Sequence, residues 1–224
     1  ISCSLSQSVG MRGGEYVGIP NYSLPRNKTW AVSVLVKEAA GFHTTQSYFM
    51  GSDLDTTEAA PFESTYHPRW GFDSADKLQI REKTGNTWSS TVAETNRSES
   101  KHIVWNWDGR DANAAKLSIY VNGDLRDTIT KAITGSDVSG SFGIEALGMG
   151  YRNGNYGSGQ GHSFGYSGSI GQVMFFDHML TTESIQYLNQ NPSEGKFGNI
   201  MNETIFKNIH PIYENEYMCT VNAD

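Results

Sequence analysis

A chain of 224 residues with 37% hydrophobic and 12% aromatic side chains has enough apolar surface for a packed core, which excludes a disordered polymer. A formal net charge of -7 without any basic run excludes a phosphate-backbone binder, which needs cations gathered on one face. No stretch approaches the roughly 18 consecutive apolar residues of a membrane span, and the opening ISCSLSQSVG is too polar for a signal peptide.

Twenty-four glycines and only 18% charged residues describe a turn-rich β protein. Sandwiches commonly reach this length as one unit, so a single domain over 1–224 is expected. The start at Ile1 rather than Met suggests a processed product or an excised domain. Trp30 to Lys37, WAVSVLVK, alternates so that Trp30, Val32, Val34 and Val36 share one face of a core strand. Ser47 to Gly51, SYFMG, is expected to follow as its partner. The polar stretch SDLDTTEAAPFESTYHPR then reads as an excursion between strands, and loops of that length are often functional. Trp70 to Asp73 re-enters the sheet, and KLQIRE turns Leu78 and Ile80 inward with Lys77, Gln79 and Arg81 toward water.

Lys101 to Thr128 is the most informative stretch. Ile103, Trp105 and Trp107 alternate, Asp108-Gly109 begins a turn, and Leu117, Ile119 and Val121 form the next apolar face. Asn122-Gly123 supplies two residues that tolerate positive φ, as a type I′ hairpin requires, and Leu125 continues on the return strand. FGIEALGMG and SIGQVMFFD read as further strands joined by a Gly- and Asn-rich connection. Thr181 caps a short helix, TESIQYLNQN; Glu183 favours the positive end of its dipole, Ile185 and Leu188 share a face, and Pro192 marks its end. The final aromatic stretch reads as a connection and a closing strand beside the N-terminus. The expected fold is all-β, a two-sheet antiparallel jelly-roll sandwich with one short helix near the C-terminus.

Cys3 and Cys219 sit near opposite ends, where a disulfide would close almost the whole chain and imply export. Two free thiols in a reducing compartment are the alternative. Asn-X-Ser/Thr sequons occur at Asn21, Asn27, Asn96 and Asn202, about as many as chance supplies.

Three pieces in order resemble the laminin-G-like, concanavalin A-like lectin-glucanase family: WAVSVLVK, then HIVWNWDG with LSIYVNGDLRD, then FGYSGSIGQVMFFDHMLTTESIQYL. In that family a YVNG strand follows a WDG strand, here Tyr120 to Gly123 after Trp107 to Gly109. A glycine-led strand ending in Phe-Asp precedes a short helix, here Gly168 to Asp177 before Leu180 to Leu188. The resemblance implies a sandwich whose core residues, including Trp105, Trp107 and Phe176, are structural. Its ligands are taken by edge loops. Calcium near a loop edge is also implied.

Glycoside hydrolases of related fold place paired carboxylates on one strand as E-x-D-x-E, and that triplet does not occur here. Asp53, Asp55 and Glu58 are the calcium candidate, because hard cations take several loop carboxylates; an acidic solvated loop is the plain alternative. Asp73 with Asp76, and Asp108 with Asp111, are weaker calcium alternatives that read more readily as turn-forming aspartates. The histidines at 43, 67, 102, 162, 178 and 210 lack zinc-ligand spacing. Gly161 to Gly165 matches G-x-S-x-G inside a glycine-rich loop, without the strand and helix that chemistry needs. Arg152, Asn153, Asn155, Tyr156, Gln160 and His162 offer polar and aromatic groups suited to sugar hydroxyls and ring faces. Tyr66, His67, Arg69 and Trp88 form a second aromatic patch. The leading expectation is a non-catalytic, extracellular recognition domain that binds a glycan or glycosylated surface. The alternative is a structural or attachment module of a surface or virion assembly whose partner is protein. No nucleic acid partner and no membrane insertion are expected.

Overall fold

In the computed structural model, which describes residues 9–11, 17–39, 47–51, 69–81, 87–133, 141–147, 166 and 168–191, the alternating stretches are strands. In chain order they are β1 (Val9–Met11), β2 (Val17–Pro25), β3 (Thr29–Glu38), β4 (Ser47–Gly51), β5 (Arg69–Phe72) and β6 (Lys77–Arg81). Then come β7 (Trp88–Ala93), β8 (Lys101–Asp108), β9 (Ala115–Val121), β10 (Asp124–Lys131), β11 (Ser141–Leu147) and β12 (Gly168–Phe176), followed by the helix α1 (Thr182–Gln190). They form two six-stranded antiparallel sheets, ordered β1-β12-β3-β8-β9-β10 and β2-β11-β4-β5-β6-β7.

The sheets face each other across one aromatic-rich core. Trp30, Val32 and Val34 on β3 lie opposite Trp107, Trp105 and Ile103 on β8, so the two alternating faces coincide. All five tryptophans are 2% exposed or less. Trp30 stacks on Trp107 with centroids 5.6 Å apart, and Trp70 meets Trp105 edge-on at 5.3 Å from the other sheet. Each such ring buries surface worth roughly 5 kcal/mol of gross transfer free energy. The polar ends are satisfied for Trp107, which donates to the Arg26 carbonyl at 2.9 Å, and for Trp30, which donates to the Pro25 carbonyl at 3.1 Å.

Asn122 (φ 53°) and Gly123 (φ 87°) make the β9–β10 hairpin, the left-handed pair that Asn-Gly adopts cheaply. The same turn docks the helix, because Asn189 donates to the Asn122 carbonyl at 2.9 Å. The Thr181 hydroxyl accepts from the Ser184 N–H at 3.2 Å and so caps α1. Ile185 and Leu188 bury against Ala31, Val104, Met174 and Phe176 on the outer face of the first sheet.

One side of the sandwich is tied by polar groups between the edge strands β7 and β10. Asp127 accepts from the Thr91 N–H at 2.6 Å and from its hydroxyl at 2.8 Å. Lys131 donates to the Thr87 carbonyl and lies 4.5 Å from the Trp88 ring centre.

Two expectations are corrected. SYFMG is not the partner of WAVSVLVK: β4 lies in the second sheet between β11 and β5, while β3 pairs with β12 and β8. Strand adjacency in sequence failed because the chain crosses from one sheet to the other between Glu38 and Ser47. Gln79 faces outward as alternation requires, yet it is only 4% exposed, being held against Tyr48 rather than water.

Candidate functional site

The two outer faces of the sandwich differ in kind. On the first sheet, the central strands are covered by α1. On the second, Trp70, Phe72, Leu78 and Ile80 turn into the core, so Arg69, Gly71, Gln79 and Arg81 must turn out. Tyr48 joins them, because it lies opposite Gly71, which in turn lies opposite Gln79.

Gly71 makes this row continuous. A Cβ there would sit 2.0 Å from the Ser47 carbonyl oxygen, so no side chain fits between Tyr48 and Gln79. Across that gap Gln79 Nε2 donates to the Tyr48 hydroxyl at 3.2 Å, and Arg81 Nη1 lies 3.4 Å from the same oxygen. The Arg69 guanidinium lies 5.8 Å from the centre of the Tyr48 ring. Burial raises the Tyr48 pKa, outweighing the attraction of Arg81, so the phenol stays protonated. Arg69 and Arg81 are directly paired across β5 and β6, which puts two cations side by side on this face.

The other charge clusters hold the fold together. Arg97 pairs with Glu38 and, at 2.8 Å, with Asp76, while its guanidinium lies 4.4 Å from the Phe72 ring centre. Glu94 takes Lys101 at 3.8 Å and Arg126 at 3.3 Å. Both η nitrogens of the nearly inaccessible Arg97 thus carry a carboxylate, as a buried charge requires. Tyr166, buried beside them, accepts from the Lys37 N–H at 3.1 Å and donates to the Ser169 carbonyl at 2.6 Å. Burial drives its pKa far up, so it remains a neutral hydrogen-bonding group.

Among the described residues, several further aspartates are occupied by turns and pairs. Asp73 Oδ1 accepts from the backbone of Ala75 and Lys77, and Asp111 Oδ1 from that of Asn113, which bears out their reading as turn residues. A side-chain bond from Arg110 lowers the pKa of Asp108. Asp127 is partly desolvated, yet bonds from Thr91, Thr128 and Ser90 hold it below its ordinary value. Among the described residues, no group of three or more His, Cys, Asp and Glu converges as a metal cage.

Asp53, Asp55 and Glu58, the set Arg152, Asn153, Asn155, Tyr156, Gln160 and His162, and Cys3 with Cys219 all lie outside the described residues, as do Tyr66 and His67. The chain leaves β4 at Gly51 and re-enters at Arg69, and these two are directly paired. The stretch carrying the acidic candidates is therefore rooted beside Arg69. Of the second aromatic patch, Arg69 is on the outward face, but Trp88 is not. It is 2% exposed and packs edge-on against Trp107 at 4.6 Å, so it belongs to the core. Tyr48, Gln79 and Arg81 were not singled out as site residues from the sequence. The alternation of KLQIRE already turned the last two outward, but their meeting with Tyr48 depends on a strand far away in sequence.

No curated protein matches the chain in sequence. Solved structures do resemble it in fold. Domain 4 of AbnA, an extracellular arabinanase from Geobacillus stearothermophilus, in complex with arabinotriose, has a TM-score of 0.54 at 16% identity, covering 82% of this chain and 76% of that one. A native heptameric SAP-like pentraxin from Limulus polyphemus gives 0.51 at 16% identity, with 86% of each chain covered. The CBM40 of a Ruminococcus gnavus IT-sialidase, bound to α2,3 sialyllactose, gives 0.51 at 12% identity, covering 81% of this chain and 100% of that one. A family model described as the concanavalin A-like lectin/glucanases superfamily matches residues 12–186. With its two antiparallel sheets, its Asn-Gly hairpin and its single helix lying where that match ends, the chain belongs to the concanavalin A-like lectin/glucanases superfamily.

Proposed function

We propose that this chain is a non-catalytic, extracellular glycan-recognition module. The observation that carries the reading is the concanavalin A-like two-sheet sandwich itself, matched over residues 12–186, with Arg81 exposed on the sheet face opposite the helix beside the buried row of Tyr48, Gly71, Gln79 and Arg69. Tyr48, Gln79 and Arg69 are 2%, 4% and 8% exposed and so form a polar floor, beside which the exposed guanidinium of Arg81 can donate to sugar hydroxyls. The arabinotriose-bound and sialyllactose-bound domains of similar fold support the same reading. The segments carrying Arg152, Asn153, Asn155, Tyr156, Gln160 and His162, and Asp53, Asp55 and Glu58 with calcium, are the proposed loop contributions.

The test is a glycan array run with calcium and with chelator. Binding to a defined subset of glycans supports the reading, and loss of that binding in chelator supports the calcium role. Uniform silence at high protein concentration overturns it. The attachment-module reading draws little from the described surface. Its exposed large apolar residues are Val92 and Leu125, too few for the apolar centre of a stable interface.

A further inference from the structure

We propose that Asn27 is an acceptor for N-linked glycosylation, so that the module carries a glycan of its own. The proposal rests on the extracellular part of the reading above, because the donor of such glycans is met on the secretory route. The number of Asn-X-Ser/Thr sequons carries no weight, but their placement in the fold separates them.

Asn27-Lys28-Thr29 spans the turn from β2 into β3, with Asn27 and Lys28 exposed and Thr29 half-buried. The backbone of this turn is tied down from beneath. The Pro25 carbonyl accepts from the Trp30 indole at 3.1 Å, the Arg26 carbonyl from the Trp107 indole at 2.9 Å, and the Lys28 carbonyl from the Gly109 N–H at 3.1 Å. Gly109 permits that approach, since a Cβ there would lie 1.6 Å from the Arg26 carbonyl oxygen. A bulky polar substituent on Asn27 therefore leaves from a fixed base and displaces none of these bonds.

Among the described residues, the other sequons lack this combination. Asn21 lies inside β2, and Tyr22 and Ser23 of its sequon pair with Ile144 and Gly143 of β11. Asn96 is exposed, but the middle residue of its sequon, Arg97, is 3% exposed and held by Glu38 and Asp76. The Arg97 carbonyl also accepts from the Glu38 N–H at 3.0 Å. That tripeptide opens only if these bonds break, so Asn96 is a substrate only before the fold closes. Asn202 lies outside the described residues.

The donor is a lipid-linked oligosaccharyl diphosphate. The bond from Asn27 Nδ2 to the sugar C1 forms as the bond from C1 to the diphosphate oxygen breaks. The diphosphate leaves with the electron pair, and the amide gives one proton to solvent. The Thr29 hydroxyl supplies the third position that the transferase reads. The glycan then stands at the end of the sandwich where Asp108 pairs with Thr29 and Lys116, opposite the Asn122-Gly123 hairpin. β3 separates it from Glu38, where the 148–167 connection rejoins the sheet at Gly168. The ten residues of β3 span about 30 Å, so the glycan stands clear of that point.

In the experiment, a cleaved leader carries the full chain into the secretory pathway of a eukaryotic cell. Peptides from secreted and retained fractions are mapped with and without a glycan-releasing amidase in heavy-oxygen water. Glycan is expected on Asn27 in most molecules and on Asn96 in fewer. Asn27→Gln and Thr29→Ala should each remove the Asn27 glycan, and Thr29→Ser should keep it, because the hydroxyl remains. If Thr29→Ala does not fold, the parent map, Asn27→Gln at its exposed position and Thr29→Ser decide. An empty Asn27, or one filled no more often than Asn96, overturns the proposal. Asn27→Gln should bind the same glycans on the array as the parent. An empty Asn27 with a responsive array overturns the acceptor site alone, and a silent array with Asn27 filled overturns recognition alone.

Discussion

The side-chain amide of Asn106 holds both backbone polar groups of Leu180, donating to its carbonyl at 2.8 Å and accepting from its N–H at 3.0 Å. Asn106 is 1% exposed and stands on β8, so this clamp pins the entry of α1 to the centre of the first sheet. Asn106→Ala would leave two buried backbone groups without their partner. The expected cost is about 2–4 kcal/mol, read as a lower urea midpoint with little change in slope. A loss below about 0.5 kcal/mol would mean that α1 is held by its apolar face alone.

His102 sits on the same outer face, its Nε2 2.8 Å from the Ser33 hydroxyl. Burial lowers its pKa from 6.5 to about 4. With the folded value below the unfolded one, the unfolded chain takes up a proton first as pH falls. Stability is therefore whole above pH 6.5, erodes between 6.5 and about 4, and draws no further loss from this group below that. The span is roughly 3 kcal/mol. Urea midpoints at a series of pH values should show this slope in the parent chain and a flatter one in His102→Gln. Parallel curves would assign the acid sensitivity to other groups.

Gly71→Ala is expected to be among the most damaging single-methyl additions, because its Cβ would meet the Ser47 carbonyl oxygen at 2.0 Å and the Tyr48 Cα at 2.7 Å. Both obstacles are backbone, so β4 and β5 must separate. A loss of at least about 3 kcal/mol, or failure to fold, should appear in thermal melts of the purified protein. A fully stable alanine variant would show that the two strands lie farther apart than described.

Asp127 fastens β10 to β7 through Thr91 and Ser90. Asp127→Ala should cost about 1–3 kcal/mol and raise hydrogen exchange at the Thr91 amide, whose acceptor is removed. Since the folded pKa of Asp127 is depressed, its stabilisation is present above the ordinary carboxylate range and lost as pH falls through the folded value. The parent and the alanine variant should converge in stability at acid pH.

Several features were legible in the amino-acid order because their causes are local. Alternation alone turned Trp30, Val32, Val34, Ile103, Trp105 and Trp107 to one face, and burial of that face is what the structure contains. Asn122-Gly123 specified its hairpin because few other pairs adopt two successive positive φ values without strain. Thr181 marked the helix start because its hydroxyl reaches the amide three residues on.

What only the tertiary structure decided concerns pairings between distant segments. The assignment of β4 to the second sheet rests on its pairing with β11 and β5, which the sequence of SYFMG by itself does not specify. The burial of Gln79 depends on Tyr48, thirty-one positions away, and the burial of Trp88 on Trp107 in the opposite sheet. The candidate face follows the same rule. Its residues turn away from the core by local periodicity, but Tyr48, Gln79, Arg69 and Arg81 become one cluster only when Gly71 lets β4 and β5 approach, and that is a property of packing.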